Sequence, residues 1–90
     1  MIVEKTLTIK NELGIHARSA AMIVRALERY QSSVSFERDG TRVDARSLLD
    51  ILTLGCPKHS EIVVRADGDD AREVLECLEK LVDDKFGETA

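Results

Sequence analysis

Leu13 to Val24 reads LGIHARSAAMIV, which puts His16 behind Gly14 and Arg18 just past it, ahead of an apolar run with helical spacing. An imidazole beside the first turn of a helix faces backbone N–H groups that have no partner inside the helix. Those donors, with the positive end of the helix dipole, favour a negative group. The same field disfavours a positive ring and keeps the imidazole neutral and nucleophilic near pH 7. A guanidinium grips phosphate oxygens. A histidine that accepts a phosphoryl group needs these surroundings: the neutral ring attacks, and the dianion then rests on the N–H groups and Arg18. Gly14 lets the preceding turn bend without steric cost. The spacing is also that of an ordinary polar helix start, the commoner outcome for a short motif.

Three further features carry chemistry or contacts. Arg18, Arg25 and Arg29 recur at i, i+7 and i+11, with Ala21 and Met22 beside the row. Such a strip on an acidic protein suits an acidic partner docking next to His16, or it is a solvated face paired with carboxylates. Leu48, Leu49, Ile51, Leu52 and Leu54 crowd a two-turn segment. Leu48, Ile51 and Leu52 form a stripe that can face a sheet, which leaves Leu49 pointing elsewhere. The surplus implies burial on two sides or an exposed docking patch. Ser47 opens the segment, as an N-cap or as a phosphorylation site whose charge would alter the leucine patch. Cys56 and His59, in CPKH, have no second ligand pair, so no metal site is expected. A Walker loop, a Ser-His-Asp set and a dinucleotide fingerprint are all missing, so no cofactor is expected either.

Positioning these residues falls to a small scaffold. Ninety residues suit one domain, 1–90, near the lower end of what folds unaided. Thirteen Lys and Arg against 17 Asp and Glu leave a net charge of −4, which argues against nucleic-acid affinity. No apolar run approaches the roughly 20 residues of a membrane span, and no signal peptide is recognised. Two cysteines are too few for a disulfide framework, so the expectation is a cytoplasmic protein with reduced thiols. Ile2–Ile9 is a strand with Val3, Leu7 and Ile9 on one face, although Lys5 breaks the alternation. Val34–Arg38 and Thr41–Val43 flank Asp39-Gly40, a strong hairpin signal. Glu61–Ala66 is the fourth strand.

The spacing predicts helices over about Ala17–Arg29, Ser47–Leu54 and Asp70–Asp84. Ala20, Ile23, Val24 and Leu27 form the stripe of the first. Ala71, Val74, Leu75, Leu78, Leu81 and Val82 form that of the last, with Cys77 off it. Asp69 and Asp70 suit the positive end of the last helix. The resulting β-α-β-β-α-β-α order defines an α+β two-layer domain.

Two stretches resemble a known family. GIHARSA, Gly14 to Ala20, is similar to the G-[LI]-H-A-R-P-A signature of HPr, the histidine phosphocarriers of the bacterial phosphoenolpyruvate-dependent phosphotransferase system. RSLLDILTLG, Arg46 to Gly55, resembles the family's second signature, in which a serine opens a short apolar helix ending in Leu-Gly. The likeness runs from about Val3 to about Val82, and the element order fits the family's open-faced sandwich, a four-stranded antiparallel sheet covered on one face by three helices.

The resemblance implies that His16 is phosphorylated on Nδ1 by enzyme I and unloaded onto EIIA-type proteins. It implies that Ala17 and Arg18 hold the phosphoryl group. It matches Ser47 to the serine modified by HPr kinase, and Ala21, Leu48, Leu49 and Leu52 to the partner surface, with Met22 and Arg25 alongside. The implied state is a cytoplasmic monomer that carries phosphate without turnover of its own. A purely regulatory protein, acting through Ser47 and the leucine patch on a transcription regulator, is the alternative. A nitrogen-type branch and a sugar-uptake branch share the histidine signature.

Two positions depart from the family. Ser19 replaces its proline, so either the first turn is looser or Ser19 itself touches the phosphate. His59 replaces its usual glycine, a steric cost if that position needs a positive φ.

Overall fold

The structure is a computed structural model and describes residues 1–90. Four strands, β1 (Ile2–Thr8), β2 (Ser33–Arg38), β3 (Thr41–Asp44) and β4 (Glu61–Asp67), form one antiparallel sheet in the order β1-β4-β2-β3. The hairpin forms where the Asp-Gly signal puts it: Asp39 and Gly40 take φ of 51° and 83°, and Arg38 pairs with Thr41. Central β4 is bonded to β1 on one side and β2 on the other, and buries Ile62, Val64 and Ala66 on one face. Val34 and Phe36 of β2 and Leu7 of β1 join them. Lys5 lies on the same face, opposite Val64, yet stays exposed because β1 is an edge strand. Its ammonium pairs with Glu79 on the last helix, which explains the broken alternation.

Three helices, α1 (Ala17–Leu27), α2 (Leu48–Thr53) and α3 (Ala71–Asp83), cover that face, and the expected architecture is the observed one. α1 stops at Leu27, short of the expected Arg29, because the Arg46 guanidinium takes over the carbonyls there. It donates to Leu27 O at 2.9 Å, Tyr30 O at 2.9 Å and Ser32 O at 2.8 Å. Arg38 does the same for α2, bonding Leu54 O at 3.1 Å and Gly55 O at 2.8 Å. Val24 and Leu81, expected in the buried stripes, are only half-buried at the helix flanks. In α2 only Ile51 is fully buried; Leu52 is half-buried and Leu48 exposed, so Leu48 leaves the stripe expected to face the sheet. One short helix has room to bury one narrow edge, and Arg38 and Arg46 fix which edge that is.

Asp70 stands at the N-terminus of α3 but does not cap it. Its carboxylate accepts from the Ser32 hydroxyl, from Gln31 N at 2.8 Å and from Ser32 N at 3.0 Å, which ties the start of α3 to the loop before β2. The Ser32 hydroxyl, then the Gln31 N–H, hold this carboxyl below the usual aspartate range.

His59 takes φ of 76°, the left-handed conformation that a glycine adopts freely, and its N–H donates to Ile9 O at 2.8 Å. A non-glycine residue there costs roughly 1–2 kcal/mol, part of which glycine gives back through the entropy of the unfolded chain. His59→Gly is therefore expected to raise the unfolding free energy by about 0.5–1 kcal/mol in urea titrations. A midpoint unchanged or lowered would contradict the strain.

Candidate functional site

The turn ahead of α1 is set by a close backbone approach. Gly14 has φ of 66°, and a Cβ there would sit 2.2 Å from Cys56 O and 2.7 Å from Pro57 Cα, so only glycine fits. Ile15 N donates to Cys56 O at 2.8 Å and Gly14 N to Asn11 O at 3.1 Å. His16 then stands at the N-cap with an extended backbone, φ −127° and ψ −176°. The N–H groups of Ala17, Arg18 and Ser19 follow it as the first-turn donors with no acceptor in the helix ladder.

Ser19 does not loosen the first turn. Its side chain is fully buried, and Oγ accepts from His16 N at 2.9 Å while lying 3.2 Å from His16 O and 3.4 Å from Gly14 O. The hydroxyl therefore fastens the first turn instead of loosening it, and it points at backbone rather than at an incoming ligand. A serine at N3 returning to the N-cap N–H, with the His16 side chain facing the Ser19 N–H in turn, makes a capping box.

Two residues complete the site that no sequence spacing points to. Beyond α3 the chain makes a 3₁₀ turn, Lys85–Gly87, in which Lys85, Phe86 and Gly87 have φ of 53°, 55° and 77°. Phe86 is fully buried, and the turn delivers Glu88 to the start of α1. Glu88 Oε2 lies 2.6 Å from His16 Nε2 and 3.3 Å from Arg18 Nη1. Glu88 Oε1 accepts from Asn11 Nδ2 at 2.9 Å, and the same amide donates to Gly14 O at 2.7 Å. Arg18 Nη1 also reaches Phe86 O at 3.2 Å, and Glu12 N donates to Ala90 O at 3.0 Å. The hydrogen bond with His16, then that from Asn11, hold the Glu88 carboxyl below the usual glutamate range, against the opposing effect of burial. Ring and guanidinium thus converge on one anionic oxygen. His16 sits between the positive end of α1 and a carboxylate, where the sequence shows only the former. The sole hint of this tail is Phe86-Gly87 after the last helix: a large apolar residue that needs burial, then a residue suited to a sharp turn.

The second group gathers along α1 and α2. Ser47 is the N-cap of α2, half-buried, with Oγ accepting from Asp50 N at 3.3 Å. Arg46, bound to the end of α1, brings α2 against that helix, and Ala21, Val24, Arg25, Glu28 and Leu48 line the groove between them. Leu49 is 74% exposed, as expected of the residue left off the stripe. Leu13, on the loop before His16, is exposed as well. Met22 shares the flank of Arg25 but lies toward α3, beside Leu81. The arginine row divides: Arg18 is held by Glu88, whereas Arg29 lies past the end of α1, over the Tyr30 ring and 3.8 Å from Cys77 Sγ. Cys56 is buried, which pushes its thiol above the usual range, while His59 is exposed.

A family profile described as "PTS HPr component phosphorylation site" matches residues 3–84. The chain is 32% identical over 87 residues to the phosphocarrier protein HPr of Xylella fastidiosa (strain Temecula1), covering 97% of this chain and 98% of that one. It is 38% identical over 89 residues to the phosphocarrier protein HPr of Treponema pallidum (strain Nichols), covering 97% and 99%. The crystal structure of HPr-C-His from Thermoanaerobacter tengcongensis superposes with a TM-score of 0.93 at 36% identity, over 98% of this chain and 99% of that one. A small α+β sandwich with a histidine at a helix start is the class of protein that the fold defines. The chain belongs to the HPr family of phosphocarriers of the phosphotransferase system. No helix is long and apolar enough to cross a membrane.

Because the folded carboxyl of Glu88 titrates below its ordinary value of 4.5, its bonds stabilise the docked tail above that value. They are lost as pH falls through the lower folded value. Acidification from about pH 6 to about pH 3 should therefore release the tail, seen as lost hydrogen-exchange protection at Gly87 and Glu88 before the sheet opens. Equal protection of these amides at both pH values would contradict the ion pairing.

Proposed function

We propose that this chain carries a phosphoryl group on Nδ1 of His16, loaded by enzyme I from phosphoenolpyruvate and unloaded onto EIIA-type proteins. The observation that supports this most is the placement of His16 at the N-cap of α1, ahead of first-turn N–H groups that lack a ladder acceptor, with the Arg18 guanidinium close to the ring on the Glu88 oxygen they share. A phosphoryl group on the ring brings three such oxygens. Arg18 and the N–H groups of Ala17, Arg18 and Ser19 would take them, as electrostatic donors aimed where charge gathers. His16 keeps about a third of its side chain exposed, 31%, as a ring visited by two different proteins must. The relay needs no metal or cofactor, since the attacking lone pair and the returning pair both belong to the imidazole.

Ala21, Arg25, Leu48, Leu49 and Leu52 form the partner surface in this reading, with Met22 at its flank. An exposed leucine pair beside a basic side chain suits donor and acceptor proteins that present an apolar patch rimmed with acid. Ser47 is the regulatory position. A phosphate there puts a dianion at the edge of that patch and weakens docking, which requires an HPr kinase and extends to a transcription regulator. The protein acts in the cytoplasm as a single domain and a monomer.

Incubation with phosphoenolpyruvate and enzyme I from the same organism should yield one acid-labile phosphate per chain. His16→Ala should abolish it, and Arg18→Ala should slow it by roughly 10- to 100-fold, the worth of one charge-assisted contact. An unlabelled wild type, or equal labelling of His16→Ala, overturns the carrier reading. Ser47→Asp should reduce the rate with the site itself intact, and a rate equal to wild type removes the regulatory role.

A further inference from the structure

We propose that Glu88, held by Asn11, is a positioning residue for His16: its carboxylate keeps the ring proton on Nε2 and leaves the Nδ1 lone pair to attack. This rests on the carrier reading above. An ionised carboxylate only accepts hydrogen bonds, so the proton in the 2.6 Å contact between Nε2 and Oε2 belongs to the ring. A neutral imidazole with its proton on Nε2 has its free lone pair on Nδ1. The carboxylate therefore selects both the tautomer and the tilt of the ring, as the aspartate of a Ser-His-Asp triad does for its histidine.

Three observations indicate that the contact is built rather than incidental. Asn11 is fully buried and directs its amide nitrogen at Glu88 Oε1 and Gly14 O together. Its own Oδ1 is left buried without a partner, an arrangement that lowers stability unless the two donations matter more. The tail reaches the ring through two non-glycine residues in the left-handed region, Lys85 and Phe86, held there by full burial of the Phe86 ring. Arg18 Nη1 lies 3.3 Å from the same Oε2, a second cationic partner that holds the carboxylate beside the ring.

In the transfer step the Nδ1 lone pair forms the N–P bond while the bond from phosphorus to the donor breaks, its pair leaving with the donor. The Nε2 proton stays in place, so the ring gains positive charge that the adjacent carboxylate stabilises. Unloading returns the N–P pair to Nδ1 and the ring to neutrality. No proton has to be exchanged with water in either direction, which suits a carrier that must be loaded and emptied.

The test is Glu88→Ala in the full chain, with ring-nitrogen NMR at alkaline pH alongside loading kinetics with enzyme I. In the wild type the proton-bearing nitrogen is expected to be Nε2 almost exclusively. In Glu88→Ala the two ring-nitrogen shifts should move toward each other as the tautomers mix. The kcat for loading should fall about 10- to 100-fold, as for loss of a residue that orients an imidazole, with KM for this protein unchanged. Unchanged ring shifts, or loading as fast as wild type or faster, overturn the proposal. Should the wild type itself fail to load, the carrier reading falls, and the nitrogen shifts still decide whether Glu88 sets the tautomer.

Discussion

The bond between His16 Nε2 and the Glu88 carboxylate joins residues 72 positions apart at one helix start, and much of the local architecture serves it. It requires a sharp turn after α3, a buried phenylalanine to hold that turn, and an asparagine beneath the loop to steady the carboxylate. It also requires that the loop before α1 lie against Cys56 and Pro57, which only a glycine at position 14 permits. The site is thus a meeting of three segments, each fixed by backbone contacts before any side chain acts.

Arginines hold the frame around it. Arg46 ties down the end of α1 and Arg38 the end of α2, each by donating to carbonyls at or just past the last helical turn. By fixing α2 on the flank of α1, Arg46 creates the groove in which Ala21, Arg25 and Leu48 meet. The exposed leucines that lower solubility in a small domain are thereby displayed on a rigid edge, where a partner can cover them. The polar face of the sheet lies opposite, with pairs such as Glu37–Arg42 and Glu4–Arg65 spread over it.

Much of this is legible in the sequence. The periodic stripes of α1 and α3, the Asp39-Gly40 turn and the short β-branched runs declare the element order, because each is a local pattern. His16 and Ser47 stand out in the sequence because signature and helix start coincide there, and the structure puts them at the N-caps of α1 and α2. The misses are contacts between distant segments. Nothing near Glu88 marks it as a partner of residue 16, and Asn11 looks like an ordinary turn residue until its amide is seen to be buried. Ser19 is a related case: the role of its hydroxyl, which closes the backbone of its own turn, depends on contacts that residue spacing does not show. Leu48 misleads because two turns of helix leave the choice of buried edge to Arg38 and Arg46.

The measurement that bears most directly on the central claim is ³¹P–¹⁵N correlation on the ring-labelled protein after loading by enzyme I. A single phosphorus bonded to Nδ1 of His16, with Nε2 carrying the proton, is the predicted result. Phosphorus on Nε2, on another side chain, or on none would contradict the account.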